Sequence, residues 1–140
     1  MVTENAALAL GIWRADALIR KRLEGPLGGG HGLGYTDFII LSELASVVGG
    51  RLRPVDLAAR LQLTPSGVTR AVLPLAKTGF VERESHERDA RASYISITPA
   101  GRARVEEALP TVERVIADTL SSLTRSERLT LVGLVERLGY

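Results

Sequence analysis

The side chains of this chain that could do chemistry are mostly arginines, and their positive charge is concentrated in one segment. Sixteen of the 18 basic residues are Arg, and residues 51–91 carry 8 basic and 5 acidic side chains, a net charge of +3. Residues 1–50 have a net charge of −1, and residues 92–140 carry 6 charges of each sign. Guanidinium groups bind phosphate oxygens and the edge of guanine. This distribution favours nucleic-acid binding by residues 51–91, although a solvated charged face would give the same balance.

Residue types needed for catalysis or metal binding are scarce. The chain has no Cys, and its two His, His31 and His86, lie far apart in the sequence. There is no Ser/His/Asp set and no metal-ligand spacing, so we predict no enzyme, no metal site and no cofactor. The glycine-rich stretch 25–34 follows no strand and precedes no Lys-Ser/Thr pair, which excludes a phosphate-binding loop. We interpret this stretch as a flexible connector.

Two short helices are the elements that would position the arginines. Residues 55–61 form an apolar helical run, and residues 62–64 are expected to make a tight turn. The second helix would start with Thr64 as its N-cap and Pro65 at its first position, where a backbone N–H is not needed. The residues expected to face inward are Val68, Ala71, Val72 and Leu75. The pair predicts a helix-turn-helix, whose second helix enters the major groove of DNA.

A hairpin is expected after the second helix. Residues 80–83 and 93–97 have the composition of short strands, and they flank a charged tip at 85–91. Helix, tight turn, helix and hairpin in this order predict a winged helix-turn-helix, a mainly α fold of the α+β class.

The same segment resembles the MarR (multiple antibiotic resistance regulator) family of bacterial transcription factors. The motifs in the family's order are Leu63-Thr64-Pro65-Ser66 with Val68-Thr69-Arg70, Gly79-Phe80-Val81-Glu82-Arg83, Asp89-Ala90-Arg91, and Ile97-Thr98-Pro99-Ala100-Gly101. The resemblance covers almost the whole chain, and it implies one domain at 1–140. Within that domain it implies a DNA-binding part at 36–98 and dimerisation helices at 1–30 and 99–140. Pro74 and Ala90 depart from the family pattern, and Pro74 is expected to bend the second helix.

The fold and the resemblance point to the same DNA contacts. In the second helix these are Thr64, Pro65, Ser66, Thr69 and Arg70. At the wing, Arg91 and Arg88 are the natural contacts because a narrow minor groove attracts Arg. Asp89 would repel phosphate, so we expect it to orient an Arg. The alternative for these three residues is an ordinary charged hairpin tip.

Periodic apolar residues predict further helices before the helix-turn-helix. The first helix is expected at 6–24, and the second at 37–48 with Thr36 as its cap. Residues 51–54 are interpreted as a linker.

Apolar periodicity also predicts two helices after the hairpin. A long helix is expected at 99–121, with a kink at Pro110. A capping box at Thr124 and Glu127 would start a last helix. The terminal helices carry more apolar surface than a reading module of this size needs, which favours a partner subunit.

The resemblance implies a homodimeric, sequence-specific transcriptional regulator, most often a repressor, that binds a near-palindromic operator in double-stranded DNA. Family members commonly release DNA when a small, often aromatic, ligand binds between the dimer helices and the reading module. Trp13, His31 and Phe38 are the candidates to line such a cleft, although each could instead be a core or loop residue. The alternative class is a winged helix that binds protein, which the Arg side chains at the helix and wing argue against.

The sequence also bears on the cellular location. It has no run of about 18 apolar residues, and its start lacks the basic region of a signal peptide. We therefore expect no membrane partner and a cytoplasmic protein. The absence of Cys excludes disulfides and thiol-based redox sensing.

Overall fold

The computed structural model describes the backbone of residues 1–86 and 89–139 and the side chains of residues 1–84 and 93–139. Within these ranges the elements are α1 (Glu4–His31), α2 (Tyr35–Ser46), β1 (Arg51–Leu52), α3 (Pro54–Leu61), α4 (Pro65–Lys77), β2 (Val81–His86), β3 (Asp89–Ile97), α5 (Pro99–Thr119) and α6 (Arg125–Gly139). The strands form one antiparallel sheet in the order β1-β3-β2. The predicted winged helix-turn-helix and mainly α class are confirmed.

The first helix is longer than the sequence indicated. α1 continues through the glycine-rich stretch, so our interpretation of that stretch as a flexible connector was wrong. Leu27 is fully buried, and the helix ends at a left-handed Gly32 whose N–H donates to the carbonyl of Gly28. Glycine costs a helix about 1 kcal/mol per residue relative to alanine. Packing of α1 against α5 and α2 outweighs that cost here.

Two smaller predictions, for residues before the helix-turn-helix, were also wrong. The cap of α2 is Gly34 and not Thr36, because the Asp37 carboxylate accepts a hydrogen bond from the Gly34 N–H at 2.9 Å. Arg51 and Leu52, interpreted as part of a linker, form β1 and pair with β3. The pairing partner lies far along the chain, so local sequence could not reveal this strand.

The strands of the wing extend beyond the predicted runs. β2 reaches His86 and β3 begins at Asp89, so most of the predicted tip has strand backbone. The register is regular from Val81 opposite Ile97 up to Glu84, where it shifts. Arg88 lies outside the described residues, as do the side chains of Asp89 and Arg91.

The core is formed by the inward faces of α2, α3 and α4, the sheet and the packed parts of α1 and α5. Its fully buried larger residues include Leu27, Leu33, Ile40, Leu41, Leu44, Leu57, Val68, Val72, Val81 and Ile95. The predicted inward face of α4 is confirmed, with Val68, Val72 and Leu75 buried and Ala71 partly buried. Burying a side chain of this size contributes roughly 1.5–3 kcal/mol. The core therefore holds α4 with its opposite face outward.

The start of α5 is fastened to the base of the wing. Thr98 caps α5 by accepting a hydrogen bond from the Gly101 N–H at 3.1 Å. The same residue donates from its backbone N–H to the carbonyl of Phe80 at 3.0 Å and from its hydroxyl to the carbonyl of Gly79 at 2.6 Å. Gly101 lies directly against the Phe80 carbonyl. The predicted Thr-Pro-Ala-Gly motif thus joins the winged helix to the long helix.

The last helix is the least covered element of the chain. Its predicted capping box is confirmed, since the Glu127 N–H donates to Thr124 Oγ1 at 3.1 Å and the Thr124 N–H donates to Glu127 Oε1 at 2.9 Å. The hydrogen bond from the Thr124 backbone N–H to the carboxylate is the main cause that lowers the pKa of Glu127 below its ordinary value, and the Thr124 side chain adds to it. No described residue of α6 is buried. Its exposed apolar side chains are Leu129, Leu131, Val132, Leu134, Val135 and Leu138.

None of the described helices combines enough length with enough apolar character to cross a bilayer.

Candidate nucleic-acid interface

The turn between α3 and α4 sets the direction of the second helix. Gln62 ends α3 in the left-handed conformation, with φ of 53°. Its side-chain amide donates to the carbonyl of Ala59 at 2.9 Å, and the N–H of Leu63 donates to the carbonyl of Ala58 at 2.9 Å. These bonds satisfy the last carbonyls of α3 and make the chain reverse sharply. The predicted tight turn is confirmed.

The N-terminus of α4 is exposed and capped as predicted. Thr64 Oγ1 accepts a hydrogen bond from the Gly67 N–H at 3.1 Å, and Pro65 occupies the first helical position. Thr64, Pro65 and Ser66 are exposed. A helix N-terminus carries a partial positive charge and free N–H groups, which attract phosphate. This end of α4 therefore suits a contact with the DNA backbone.

The outward face of α4 is formed by residues spaced three and four apart. Ser66, Arg70 and Leu73 are exposed, and Thr69 is half-buried with its hydroxyl donating to the carbonyl of Pro65 at 3.2 Å. Within the described residues, Arg70 has no carboxylate at ion-pair distance. Its guanidinium is therefore available to an external acceptor. We define Ser66, Thr69, Arg70 and Leu73 as the reading face.

Several other arginines of the basic segment are already paired. Arg60 contacts Glu43 at 3.0 Å, and Arg53 contacts Asp56 at 2.9 Å, a bond that raises the pKa of Arg53. Such exposed pairs contribute little to stability. They do reduce the number of guanidiniums free to contact phosphate, so the number of arginines in the segment overstates how many can bind DNA.

A polar cluster across the sheet supports the wing, and sequence reasoning missed it. The guanidinium of Arg51 on β1 lies 3.4 Å from the carboxylate of Glu84 on β2 and 4.3 Å from the ring centre of Tyr94 on β3. The hydroxyl of Ser96 donates to Glu84 at 3.1 Å. These contacts connect all three strands at the wing stem. The sequence did not indicate β1. Without that strand, nothing predicted that Arg51 lies next to Glu84.

The three candidate ligand residues do not share one cleft within a single chain. Trp13 and His31 are 18 residues apart on α1, which places them about 27 Å apart along the helix axis. Trp13 is 64% exposed, whereas Phe38 is partly buried against the core. His31, which we placed in a connector, ends α1 half-buried, and its Nε2 is 2.8 Å from Thr111 Oγ1.

A second polar contact lies where α1 meets α2. The guanidinium of Arg20 stacks on the ring of Tyr35, 4.5 Å from its centre. Burial raises the pKa of Tyr35, and the neighbouring Asp16 carboxylate adds to the effect.

Comparison with known proteins decides the family. A model of the MarR family matches residues 31–92. The solved structure of the transcriptional regulator BldR from Sulfolobus solfataricus is 31% identical, covers 96% of this chain and 94% of that chain, and superposes with a TM-score of 0.81. The chain belongs to the MarR family. The resemblance identified from the motifs is thereby confirmed.

Two further comparisons concern a relative in sequence and a solved structure of the same fold. The HTH-type transcriptional repressor YetL of Bacillus subtilis (strain 168) is 40% identical over 81 residues, which are 58% of this chain and 48% of YetL. The chain thus spans about half the length of that relative. Sco3205, a MarR family regulator from Streptomyces coelicolor solved in complex with DNA, is 24% identical with a TM-score of 0.80 over 99% of this chain and 91% of that chain. These relatives are named as regulators of transcription, not as enzymes.

Proposed function

We propose that this MarR family chain is a homodimeric, sequence-specific DNA-binding regulator that represses transcription. The observation that carries the proposal is the geometry of α4. Its apolar face packs into the core, and its opposite face presents Ser66, Thr69 and Arg70 next to a capped, exposed N-terminus. Among the side chains that the structure describes, no carboxylate pairs with Arg70. This is the surface that a recognition helix brings to the major groove. The repressor role is supported by the name of YetL.

In this function the chain has two parts, one that reads DNA and one that forms the dimer. Residues 36–98 form the reading part, in which α4 enters the major groove and the β2–β3 wing lies against the minor groove and backbone. Residues 1–30 and 99–140 form the dimerisation part. The decisive experiment is to sequence the genomic fragments that the purified protein retains in the presence of competitor DNA. Retention of no defined sequence would contradict the proposal and would favour a winged helix that binds protein.

Dimerisation is the first prediction. The apolar side chains of α6 and those of Leu8, Ile12 and Trp13 on α1 are exposed in the single chain. Covering them with a second copy would remove this apolar area from water. The protein should therefore sediment at twice 15.1 kDa, and its operator should contain half-sites about 10 base pairs apart. A monomer at micromolar concentration would contradict the proposed assembly.

For the wing, we predict the direction in which operator affinity changes when Asp89 is replaced. If Asp89 orients an Arg, Asp89→Ala should weaken operator binding although it removes a negative charge. Simple electrostatics predicts the opposite, since a carboxylate repels phosphate. Fluorescence anisotropy at several salt concentrations measures the change, and tighter binding by a folded Asp89→Ala protein would rule out the orienting role.

The variant Arg91→Ala is the matched test of the wing contact. It should weaken binding to operator and unrelated DNA to a similar degree, and lower the salt slope by about one per subunit.

Ligand release is the third prediction and follows from the family. A small aromatic acid bound between the α1 and α5 helices and the reading part should weaken operator binding. Trp13, His31 and Phe38 remain the candidate ligand residues, with Trp13 coming from the partner subunit because one chain cannot bring it near His31. Titration of operator complexes with salicylate and related acids at millimolar concentration tests this. Unchanged affinity across that panel would argue against a ligand switch of this type.

A further inference from the structure

Leu73 is an apolar side chain at the centre of the reading face. It is 47% exposed, although α4 buries its other large aliphatic residues, Val68, Val72 and Leu75. Leu73 follows Ser66 by seven positions, about two turns, and follows Arg70 by three. The four residues of the reading face thus occur at the spacing that defines one side of a helix. Viewed down the helix axis, Leu73 lies between Thr69 and Arg70, on the side opposite the core.

Folding of the described chain does not account for a leucine at this position. Single exposed leucines are common on protein surfaces and need no explanation by themselves. Leu73 differs because its neighbours on the same face are Ser, Thr and Arg, and because the face has a proposed target. A molecule that binds the reading face of α4 would therefore contact the Leu73 side chain.

The major groove of DNA presents one apolar group to such a side chain. Among the four bases, thymine alone carries a methyl group on its major-groove edge, next to the hydrogen-bonding groups. Leu73 lies about 4.5 Å beyond Arg70 along the helix axis, and successive base pairs are 3.4 Å apart. An α4 helix that places Arg70 on a guanine would therefore bring Leu73 over a base one or two steps away.

We propose that Leu73 determines sequence specificity by packing on the C5-methyl group of a thymine, one or two base pairs from the guanine that Arg70 contacts. The inference rests on the proposed function and adds to it one position of the operator. It gives the reading face two kinds of recognition, a charged donor for guanine and an apolar contact for thymine.

Uracil substitution tests the proposal without changing the protein. In a duplex chosen from the genomic fragments that the wild-type protein retains, each thymine of one half-site is replaced in turn by deoxyuridine, which lacks only the methyl group. We expect one substitution, near the guanine that depends on Arg70, to weaken wild-type binding about fourfold, the value of one buried methyl or methylene group. The other substitutions should have little effect.

The variant Leu73→Ala completes the cycle. It should bind the thymine duplex about as weakly as the wild type binds the uracil duplex, and it should lose nothing more when that thymine becomes uracil. The variant Leu73→Met keeps an apolar side chain of similar volume and should retain most of the thymine preference. Circular dichroism checks that both variants fold, which the exposure of Leu73 leads us to expect.

Two results separate failure of this inference from failure of the proposed function. If the wild type retains defined DNA but tolerates uracil at every thymine, or if Leu73→Ala keeps the full thymine preference, the role of Leu73 is overturned and the regulator function stands. If the wild type retains no defined DNA, both are overturned.

Discussion

A Gly101→Ala variant is expected to unfold about 3 kcal/mol more easily than the wild type. A Cβ at this position would collide with the backbone carbonyl of Phe80 and crowd Ile97. Overpacking costs about 1–3 kcal/mol, and the upper end applies because a backbone carbonyl cannot rotate away as a side chain can. Relief would require α5 to move off the wing base, which breaks the hydrogen bonds from Thr98 to Phe80 and Gly79. Urea unfolding at a fixed protein concentration measures the loss.

Gly29 provides the matched control. It lies in α1, is exposed, and a Cβ there would meet no described atom within 4 Å. Gly29→Ala should therefore stabilise the protein by about 0.5–1 kcal/mol, since glycine is a poor helix former. The same Gly→Ala change should thus lower the free energy of unfolding at position 101 and raise it at position 29. A Gly101→Ala protein as stable as the wild type would show that α5 and the wing base are not in close contact.

The largest functional effect is expected from Arg70→Ala. Loss of the guanidinium should weaken operator binding by about 1–3 kcal/mol, roughly 5- to 150-fold, and should relax the preference at one base pair. The reason is geometric, since Arg70 lies exposed on the reading face and no carboxylate of the described residues pairs with it. Competition binding on operators with single base-pair changes measures both effects.

Two further variants distinguish base reading from simple charge. Arg70→Lys keeps the positive charge but loses the bidentate geometry, so it should retain binding to unrelated DNA while losing preference for guanine. Arg114→Ala removes one exposed positive charge from α5, outside the reading part, and should change operator affinity little. Equal losses for Arg70→Ala on operator and unrelated DNA would mean that Arg70 contacts phosphate instead of a base.

Much of the candidate site could be predicted because its signals are local. A cap acts through residues three positions away, so Thr64 and Thr124 could each be assigned from a few neighbours. The inward face of α4 follows from spacing along one helix. For the same reason, the exposure of Ser66 and Arg70 was expected before any tertiary contact was known.

Other features were decided by contacts between distant parts of the chain. The extension of α1 to His31 depends on burial of Leu27 and on packing with α5, which outweigh the unfavourable propensity of the four glycines in the last turns of that helix. β1 exists because β3 pairs with it, and only then can Arg51 reach Glu84 at the wing stem. The separation of Trp13 from His31 likewise follows from the continuity of α1. Local sequence determined the turn between α3 and α4, the caps of α4 and α6 and the reading face of this protein. The length of α1, the third strand and the support of the wing required the folded chain, because their stabilising partners are far away in sequence.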